Sequence, residues 1–467
     1  MKGFVIAGTA SGVGKTTITA ALLAALRARG LTVQPFKCGP DYIDPAHHAV
    51  IAGRPSYNLD TWMMTTATNR HIFHAAMREA DVAVVEGVMG LFDGASGSSD
   101  EGSTAEIAKL LVLSIVLVVD ASNAARSVAA VVKGFCDFDP QLRIAGVILN
   151  GAAGPAHLRL LREAIAQIDV AVLGSFPRMP ELTLSERHLG LITASETTWN
   201  AAQVKALAEA AESHVDLERL LAGREIASEI GQAAPTPRRT ANREPAKSGS
   251  RSAEPVRIGV ARDRAFSFYY QSSLDALREA GAELVDVSPL GDASLPGTLD
   301  GLYLGGGYPE LFAVELSQNL PFLQSLREFA GGGRPIYAEC GGLMYLAEEL
   351  TTFDGRRHTM AAVLPLAIAM LNRLEGFGYT EVELLNDCLI GPHGARLRGH
   401  SFHYSRVTRT GDVDCCYRTC QVLTRAERNE GYRSGNVLAS YIHLSFAGNT
   451  EAALHFVDGC RQRKAVA

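Results

Sequence analysis

A lysine set among glycines and small residues, Gly8-Thr9-Ala10-Ser11-Gly12-Val13-Gly14-Lys15-Thr16-Thr17, follows the first apolar run of the chain. Gly12 and Gly14 let backbone N–H groups turn inward around phosphate oxygens, and a helix starting near Lys15 adds the positive end of its dipole. The Lys15 ammonium can reach β/γ-phosphates, and the Thr16 hydroxyl, followed by Thr17, can sit on Mg²⁺. The strict pattern G-x-x-x-x-G-K-[ST] is not met, because Thr9 stands where its first glycine belongs and Gly8 lies one residue earlier. Strand, loop, Gly-Lys-Thr and helix still occur in the right order, so ATP with Mg²⁺ is the expected ligand. The metal also needs carboxylate oxygen. Glu86 closes the apolar run Val84-Val85-Glu86, Asp120 closes the next one, and Asp41 and Asp44 lie in Lys37-Cys38-Gly39-Pro40-Asp41-Tyr42-Ile43-Asp44. Thr16, Asp41 and Glu86 are the favoured metal ligands, with Asp120 in reserve.

A second reactive group lies in Pro335-Ile336-Tyr337-Ala338-Glu339-Cys340-Gly341-Gly342-Leu343. Strand, small-residue corner and helix in this order make a nucleophile elbow. Cys340 then stands at a helix N-terminus, where thiolate is favoured. Gly341 and Gly342 allow close backbone approach, and Gly305-Gly306-Gly307-Tyr308-Pro309 ends an earlier strand with more N–H groups. Gly306, Gly307 and Gly341 are the candidates for stabilising an oxyanion. The nucleophile needs a base, and His443 in Ser440-Tyr441-Ile442-His443-Leu444-Ser445-Phe446 is the best placed. His400 and His403, on a loop or edge, are evenly divided between contacting substrate and being satisfied surface groups. The other seven of the eight cysteines make no CxxC pair and no zinc spacing, so a reduced, cytoplasmic chain is expected.

The elements that must hold these groups can be read from apolar periodicity. Buried strands are expected at 82–85, 115–119 and 144–149, and helices at 16–29 and 155–167. This alternation predicts a parallel sheet with helices on both faces. Segment 232–255 is rich in proline, small polar residues and basic side chains, which is linker composition. It separates an ATP-binding domain over 1–231 from a second domain over 256–467. There the pattern resumes with strand 257–261, helix 267–280, strands 283–287 and 302–304, and a strand at 335–338 that runs into a helix. A length of 467 residues suits two or three domains, and 47% apolar residues exclude wholesale disorder. A net charge of -6 gives no bulk attraction to nucleic acid or anionic membrane. No apolar run is long enough to span a bilayer, and the N-terminal run is read as a strand, not a signal segment.

An ATP site and an amide-attacking thiol on one chain suit a glutaminase that feeds ammonia to an ATP-dependent ligase. ATP phosphorylates a carboxylate, and ammonia then displaces the phosphate. The segments GTASGVGKTT, KCGPDYIDP, VVEGVMGLFDG, YLGGGYPEL, YAECGGLMYL, RGHSFHYS and GNVLASYIHLSF cover nearly the whole chain and resemble the cobyrinate a,c-diamide synthases. The resemblance implies an α/β fold: an N-terminal P-loop domain with a parallel sheet, similar to dethiobiotin synthetase, and a C-terminal class I glutamine amidotransferase domain. It implies amidation of the a and c acetates of cobyrinic acid with glutamine and MgATP, in cobalamin biosynthesis. It implies Cys340 as nucleophile and His443 as its partner, with Lys15 and Thr16 in the phosphate loop. Asp41, Asp44, Glu86 and Asp93 match acidic positions around metal, phosphoryl group and substrate, and Asn150 looks like the adenine-side contact of related P-loop enzymes.

The sequence also departs from that pattern. Class I glutaminases carry an acid two residues past the histidine, where this chain has Ser445. Either the dyad works alone or an acid elsewhere orients His443. Ala338 stands where many amidotransferases have glycine. Nickel-sirohydrochlorin and hydrogenobyrinic acid are the alternative macrocycles, and KCGPDYIDP weighs against cobyric acid synthase. CTP synthetase shares the domain order but fits the loop and length less well. An alternative of another class is a partition-type P-loop switch fused to an inactive glutaminase-like module. The intact Cys340 and the lack of a second lysine in Thr9-Ala10-Ser11 weigh against it. The expected partners are therefore small molecules, a corrinoid and glutamine, and a homodimer is left open.

Overall fold

The computed structural model describes residues 2–177, 179, 186–187, 190–191, 199–222 and 255–464. Segment 232–254 of the expected linker lies outside them. The chain divides into two compact units, Met1–Ala234 and Pro235–Ala467.

Seven strands build the main sheet of the first unit: β1 (Lys2–Gly8), β2 (Val33–Cys38), β3 (Tyr57–Leu59), β4 (Val82–Glu86), β5 (Ser114–Asp120), β6 (Ile144–Asn150) and β7 (Val172–Phe176). They form one sheet in the order β3-β2-β4-β1-β5-β6-β7. Every neighbouring pair is parallel. All of β4 and most of β1 and β5 are buried. That is why these strands read as unbroken apolar runs: a parallel sheet is covered on both faces. Helix α1 (Lys15–Ala28) buries Ile18, Leu22, Leu23 and Leu26, and α2 (Ile43–Ala52) follows the loop after β2. The order reverses beside β1, and the C-terminal strand ends at such a switch point form the crevice where α/β sheets bind ligands. Register brings Lys37 of β2 beside Glu86 of β4, and Glu86 beside Ile6 of β1. A two-stranded ribbon, β8 (Glu186–Arg187) with β9 (Gly190–Leu191), comes later in this unit.

The second unit opens with β10 (Val256–Ala261), β11 (Ala282–Val287), β12 (Gly301–Leu304) and β13 (Ile336–Glu339). Then come β14 (Glu349–Thr351), β15 (Arg357–Thr359), β16 (Leu366–Met370), β17 (Gly376–Leu384) and β18 (Arg396–His403). The last are β19 (Ser405–Thr410), β20 (Asp414–Gln421), β21 (Glu427–Ser434), β22 (Val437–Ser440) and β23 (His443–Leu444). Ten of them form a mixed sheet, β11-β10-β12-β13-β22-β21-β20-β17-β18-β23. It is parallel from β11 to β22 and antiparallel beyond. A smaller sheet runs β15-β14-β16-β19. Tyr303, Tyr337, Phe446 and Phe456 pack as a buried aromatic cluster between sheet and helices.

One sequence expectation needs correction and another is narrowed. The helix expected over 267–280 is Gln271–Glu279. Its first residues are taken by the turn, because Ser267 and Phe268 both donate to the Gly306 carbonyl at 3.1 Å. His400 and His403, expected on a loop or an edge, lie on strand β18, where β23 pairs only with Gly399 and His400, and His400 is the register partner of His443. Among the described residues no helix is long and apolar enough to cross a membrane.

Candidate active sites

The glycine-rich loop expected to cradle phosphate joins β1 to α1. Gly12 at φ 77° and Gly14 at φ 95° adopt left-handed conformations, which side chains adopt only under strain. A Cβ on Gly14 would also lie 2.2 Å from Asn150 Nδ2. Asn150, at the end of β6, donates to the Val13 carbonyl at 2.9 Å and so braces the loop. Lys15 reaches back over the turn and donates to the carbonyls of Ala10 at 3.1 Å and Met89 at 2.5 Å. Burial, reinforced by the nearby Lys37 charge, pushes the Lys15 ammonium down to about 8. Thr17 follows Thr16 in the first turn of α1.

Beneath the loop lies a tight charged cluster. Thr16 Oγ1 donates to Glu86 Oε1 at 2.8 Å and to Asp44 Oδ2 at 3.3 Å. Lys37 Nζ donates to Asp44 Oδ2 at 2.6 Å, Glu86 Oε1 at 2.8 Å and the Gly87 carbonyl at 3.2 Å. His48 Nε2 lies 2.7 Å from Glu86 Oε2. Burial opposes charge on Lys37, but Asp44, Glu86 and Asp41 hold it well above the ordinary lysine value. Burial likewise opposes charge on Glu86, and Lys37 and His48 overcome it, holding the carboxyl below its usual range. Asp44 goes the other way: burial and repulsion from Asp41 raise it in spite of Lys37.

Of the acids expected here, Asp44 and Glu86 meet Thr16. Asp41 instead accepts the N–H groups of Ile43 at 2.8 Å and Asp44 at 3.2 Å, and its carboxylate is 3.7 Å from Lys37. Asp93 accepts the Gly90 N–H at 2.8 Å, in the loop whose Met89 carbonyl holds Lys15. Asp120 is exposed and accepts the Ser122 N–H at 2.9 Å. No group of three or more His, Cys, Asp or Glu among the described residues forms a metal cage. The oxygens of Thr16, Asp44 and Glu86 nonetheless suit Mg²⁺, which takes one or two carboxylates and fills its shell with phosphate and water. Both carboxylates already clasp a cation, the Lys37 ammonium. Sequence reasoning missed Lys37 and His48. Lys37 heads a motif in which only the acids were weighed, and His48 belongs to a His-His pair on α2.

In the second unit Cys340 stands between β13 and the helix Gly341–Leu346, at φ 47° and ψ -101°. A non-glycine residue held there stores about 1–3 kcal/mol of strain. The Cys340 N–H secures the corner by donating to the Ser440 carbonyl of β22 at 2.7 Å. The corner needs its glycines. A Cβ on Gly342 would come 2.3 Å from the Leu304 carbonyl oxygen, and one on Gly341 would come 3.0 Å from the Gly307 nitrogen. A Cβ on Gly306 would strike His443 Cε1 at 2.6 Å. The glycine cluster after β12 therefore lies flush against the thiol corner and the imidazole. The Gly342 N–H is donated to the Gly305 carbonyl at 3.0 Å.

His443 is buried at the start of β23 and hydrogen-bonds Cys340. Burial opposes its protonation, but Cys340 and Glu339 outweigh this and push it up to about 9. The neighbouring histidines behave oppositely. His400 lies 5.2 Å from His443 between ring centres, with Nδ1 3.2 Å from the Tyr270 hydroxyl. Burial and the His443 charge hold it well below the ordinary value. His403 stacks on Tyr441 at 3.8 Å, and burial pushes it down to about 4. Ser445, in the usual place of the acid, accepts the Gly448 N–H at 3.1 Å. The acid that reaches His443 is Glu339, whose Oε2 is 3.5 Å from Nδ1. Sequence reasoning left this acid unassigned, although it is the residue just before the nucleophile.

The comparisons with known proteins match both units. The CobQ/CobB/MinD/ParA nucleotide binding domain family matches residues 4–192. The CobB/CobQ-like glutamine amidotransferase domain family matches residues 257–451. The protein named cobyrinate a,c-diamide synthase in Syntrophotalea carbinolica is 46% identical over 461 residues, which is 98% of this chain and 98% of its own. Its namesake in Dehalococcoides mccartyi (strain CBDB1) is 43% identical over 97% of both chains. Its namesake in Salmonella typhimurium is 41% identical over 98% of both. With such identity sustained through both units, the chain belongs to the family of the cobyrinate a,c-diamide synthases.

Proposed function

We propose that this chain hydrolyses glutamine at Cys340 and uses the ammonia, with ATP, to amidate the a and c acetate carboxylates of cobyrinic acid. One observation carries the proposal: a strained Cys340–His443 corner and a phosphate loop over Thr16, Asp44 and Glu86 occur on one chain. That chain is 46% identical to a cobyrinate a,c-diamide synthase. Cys340 Sγ attacks the glutamine amide carbon, and His443 delivers a proton to the departing ammonia. Backbone N–H groups near Gly306, Gly307 and Gly341 face the oxyanion, and water then releases glutamate from the thioester.

At the other site the loop N–H groups and Lys15 bind the phosphates, while Asn150 braces the loop on the adenine side. Thr16, Asp44 and Glu86 hold Mg²⁺, which neutralises phosphate charge when bound. Lys37 and His48 keep the Glu86 carboxylate ionised for that task. Asp41 and Asp93 face the carboxylate to be activated. The substrate carboxylate takes the γ-phosphoryl group of ATP, with ADP as leaving group, and ammonia then displaces phosphate from this acyl phosphate to leave the amide. The eight cysteines are free thiols, which supports a reducing, cytoplasmic setting.

The test is direct. The protein is incubated with MgATP and glutamine and, separately, with cobyrinic acid, hydrogenobyrinic acid and nickel-sirohydrochlorin. Mass spectrometry should find two successive acid-to-amide shifts on cobyrinic acid. Shifts on another macrocycle alone would reassign the substrate. No shift on any, with glutamine still hydrolysed, would discard the tetrapyrrole.

A further inference from the structure

We propose that Glu339 is the third member of the glutaminase machinery: a positioning residue whose carboxylate holds His443 through Nδ1 and leaves Nε2 for the Cys340 thiol. This rests on the reading of Cys340 as the glutaminase nucleophile. The side chain of Glu339 is almost wholly buried, and a buried carboxylate is costly unless it is hydrogen-bonded and paired. Three donors fix it. Tyr303 OH donates to Oε2 at 2.9 Å, Tyr337 OH donates to Oε1 at 2.7 Å, and the Leu444 N–H donates to Oε1 at 3.0 Å. Burial and the Glu339 charge hold both phenols well above the ordinary tyrosine value, so they remain donors. Leu444 is the residue after His443, so one carboxylate anchors both the backbone of β23 and its catalytic ring.

Among the described residues, the ion-pair partner of Glu339 is His443, at 3.5 Å. That distance is long for a hydrogen bond, and such contacts often tighten when substrate fills a site. A carboxylate on Nδ1 fixes the tautomer in which Nε2 meets the nucleophile, as in other triads. Here the acid precedes the nucleophile on β13 instead of following the histidine.

The other ionisable groups around His443 do not fill this role. His400 and His403 of β18 are held neutral by burial. The Tyr441 hydroxyl oxygen accepts from the Ser405 hydroxyl at 3.0 Å, which engages it away from His443. Glu430 of β21 accepts the Ser440 hydroxyl at 3.0 Å and the Tyr441 N–H, and burial pushes its carboxyl up. Cys340 is the ring's other partner.

The experiment compares wild type, Glu339→Gln and Glu339→Asp in three assays: glutamate release from glutamine, its pH profile, and amidation with ammonium chloride in place of glutamine. Glu339→Gln should lower kcat for glutamate release by about 10²-fold or more, with KM little changed. Ammonium-dependent amidation should be unchanged, which also shows the variant is folded. The carboxylate stabilises the imidazolium, so its loss should move the alkaline limb of the glutaminase profile to lower pH. Glu339→Asp should keep that limb at its wild-type position with an intermediate kcat. An unmoved limb in Glu339→Gln, an Asp variant as impaired as the Gln variant, or loss of ammonium-dependent amidation would each reduce Glu339 to a packing role and overturn the proposal. A wild type that releases no glutamate would instead sink the underlying glutaminase reading.

Discussion

Cys340→Ser is expected to abolish glutamine-dependent amidation, by about 10⁴-fold or more, while amidation driven by ammonium salts persists. The serine hydroxyl is close in size to the thiol and leaves the backbone corner intact. A hydroxyl is intrinsically far less acidic and less nucleophilic than a thiol, so in a corner built for sulfur it is a much poorer nucleophile for His443 to activate. The corner itself should survive, because its geometry rests on backbone contacts: Cys340 N–H to Ser440, and Gly342 N–H to Gly305. Both rates are read in one assay by following amide formation with glutamine or with ammonium chloride as nitrogen donor. Loss of both would show that Cys340 serves the structure, not glutamine hydrolysis.

Lys15→Ala should have the complementary signature. The ammonium of Lys15 is held over the loop by the Ala10 and Met89 carbonyls, and in the proposed ATP complex it meets the phosphate oxygens. Removing one such preorganised donor costs about 10²–10³-fold in rate, and this lysine also contributes binding. Amidation should therefore fall by at least that factor with either nitrogen donor. Glutamate release, which uses Cys340 and His443, should continue at a basal rate. Unchanged amidation would remove the phosphate-loop assignment.

The two variants separate sites that were legible in the sequence to different depths. β1, β4, β5 and β6 could be read because a strand buried on both faces is a continuous apolar run. The phosphate loop and the Cys340 corner could be read because each is a local string in which glycines meet a backbone demand. Neither signal reaches across the fold. Lys37 and Glu86 meet only through the parallel pairing of β2 with β4, and Glu339 meets Leu444 and His443 only because β13 and β23 converge. A buried charge looks like any surface charge until its partner is placed. The antiparallel half was hidden for another reason. Strands such as β20 and β21 carry many exposed polar residues, so their apolar alternation is faint. His400 could be placed only on a loop or an edge because its strand was not visible.

The central claim is that nitrogen released at Cys340 becomes the amide nitrogen on the macrocycle. Glutamine labelled with heavy nitrogen only in its side-chain amide tests it most directly, with MgATP, cobyrinic acid and no added ammonium. Mass spectrometry of the product should find the label in both new amides, with glutamate formed alongside. Glutamate formed without labelled amide, or amide formed without label, would contradict it.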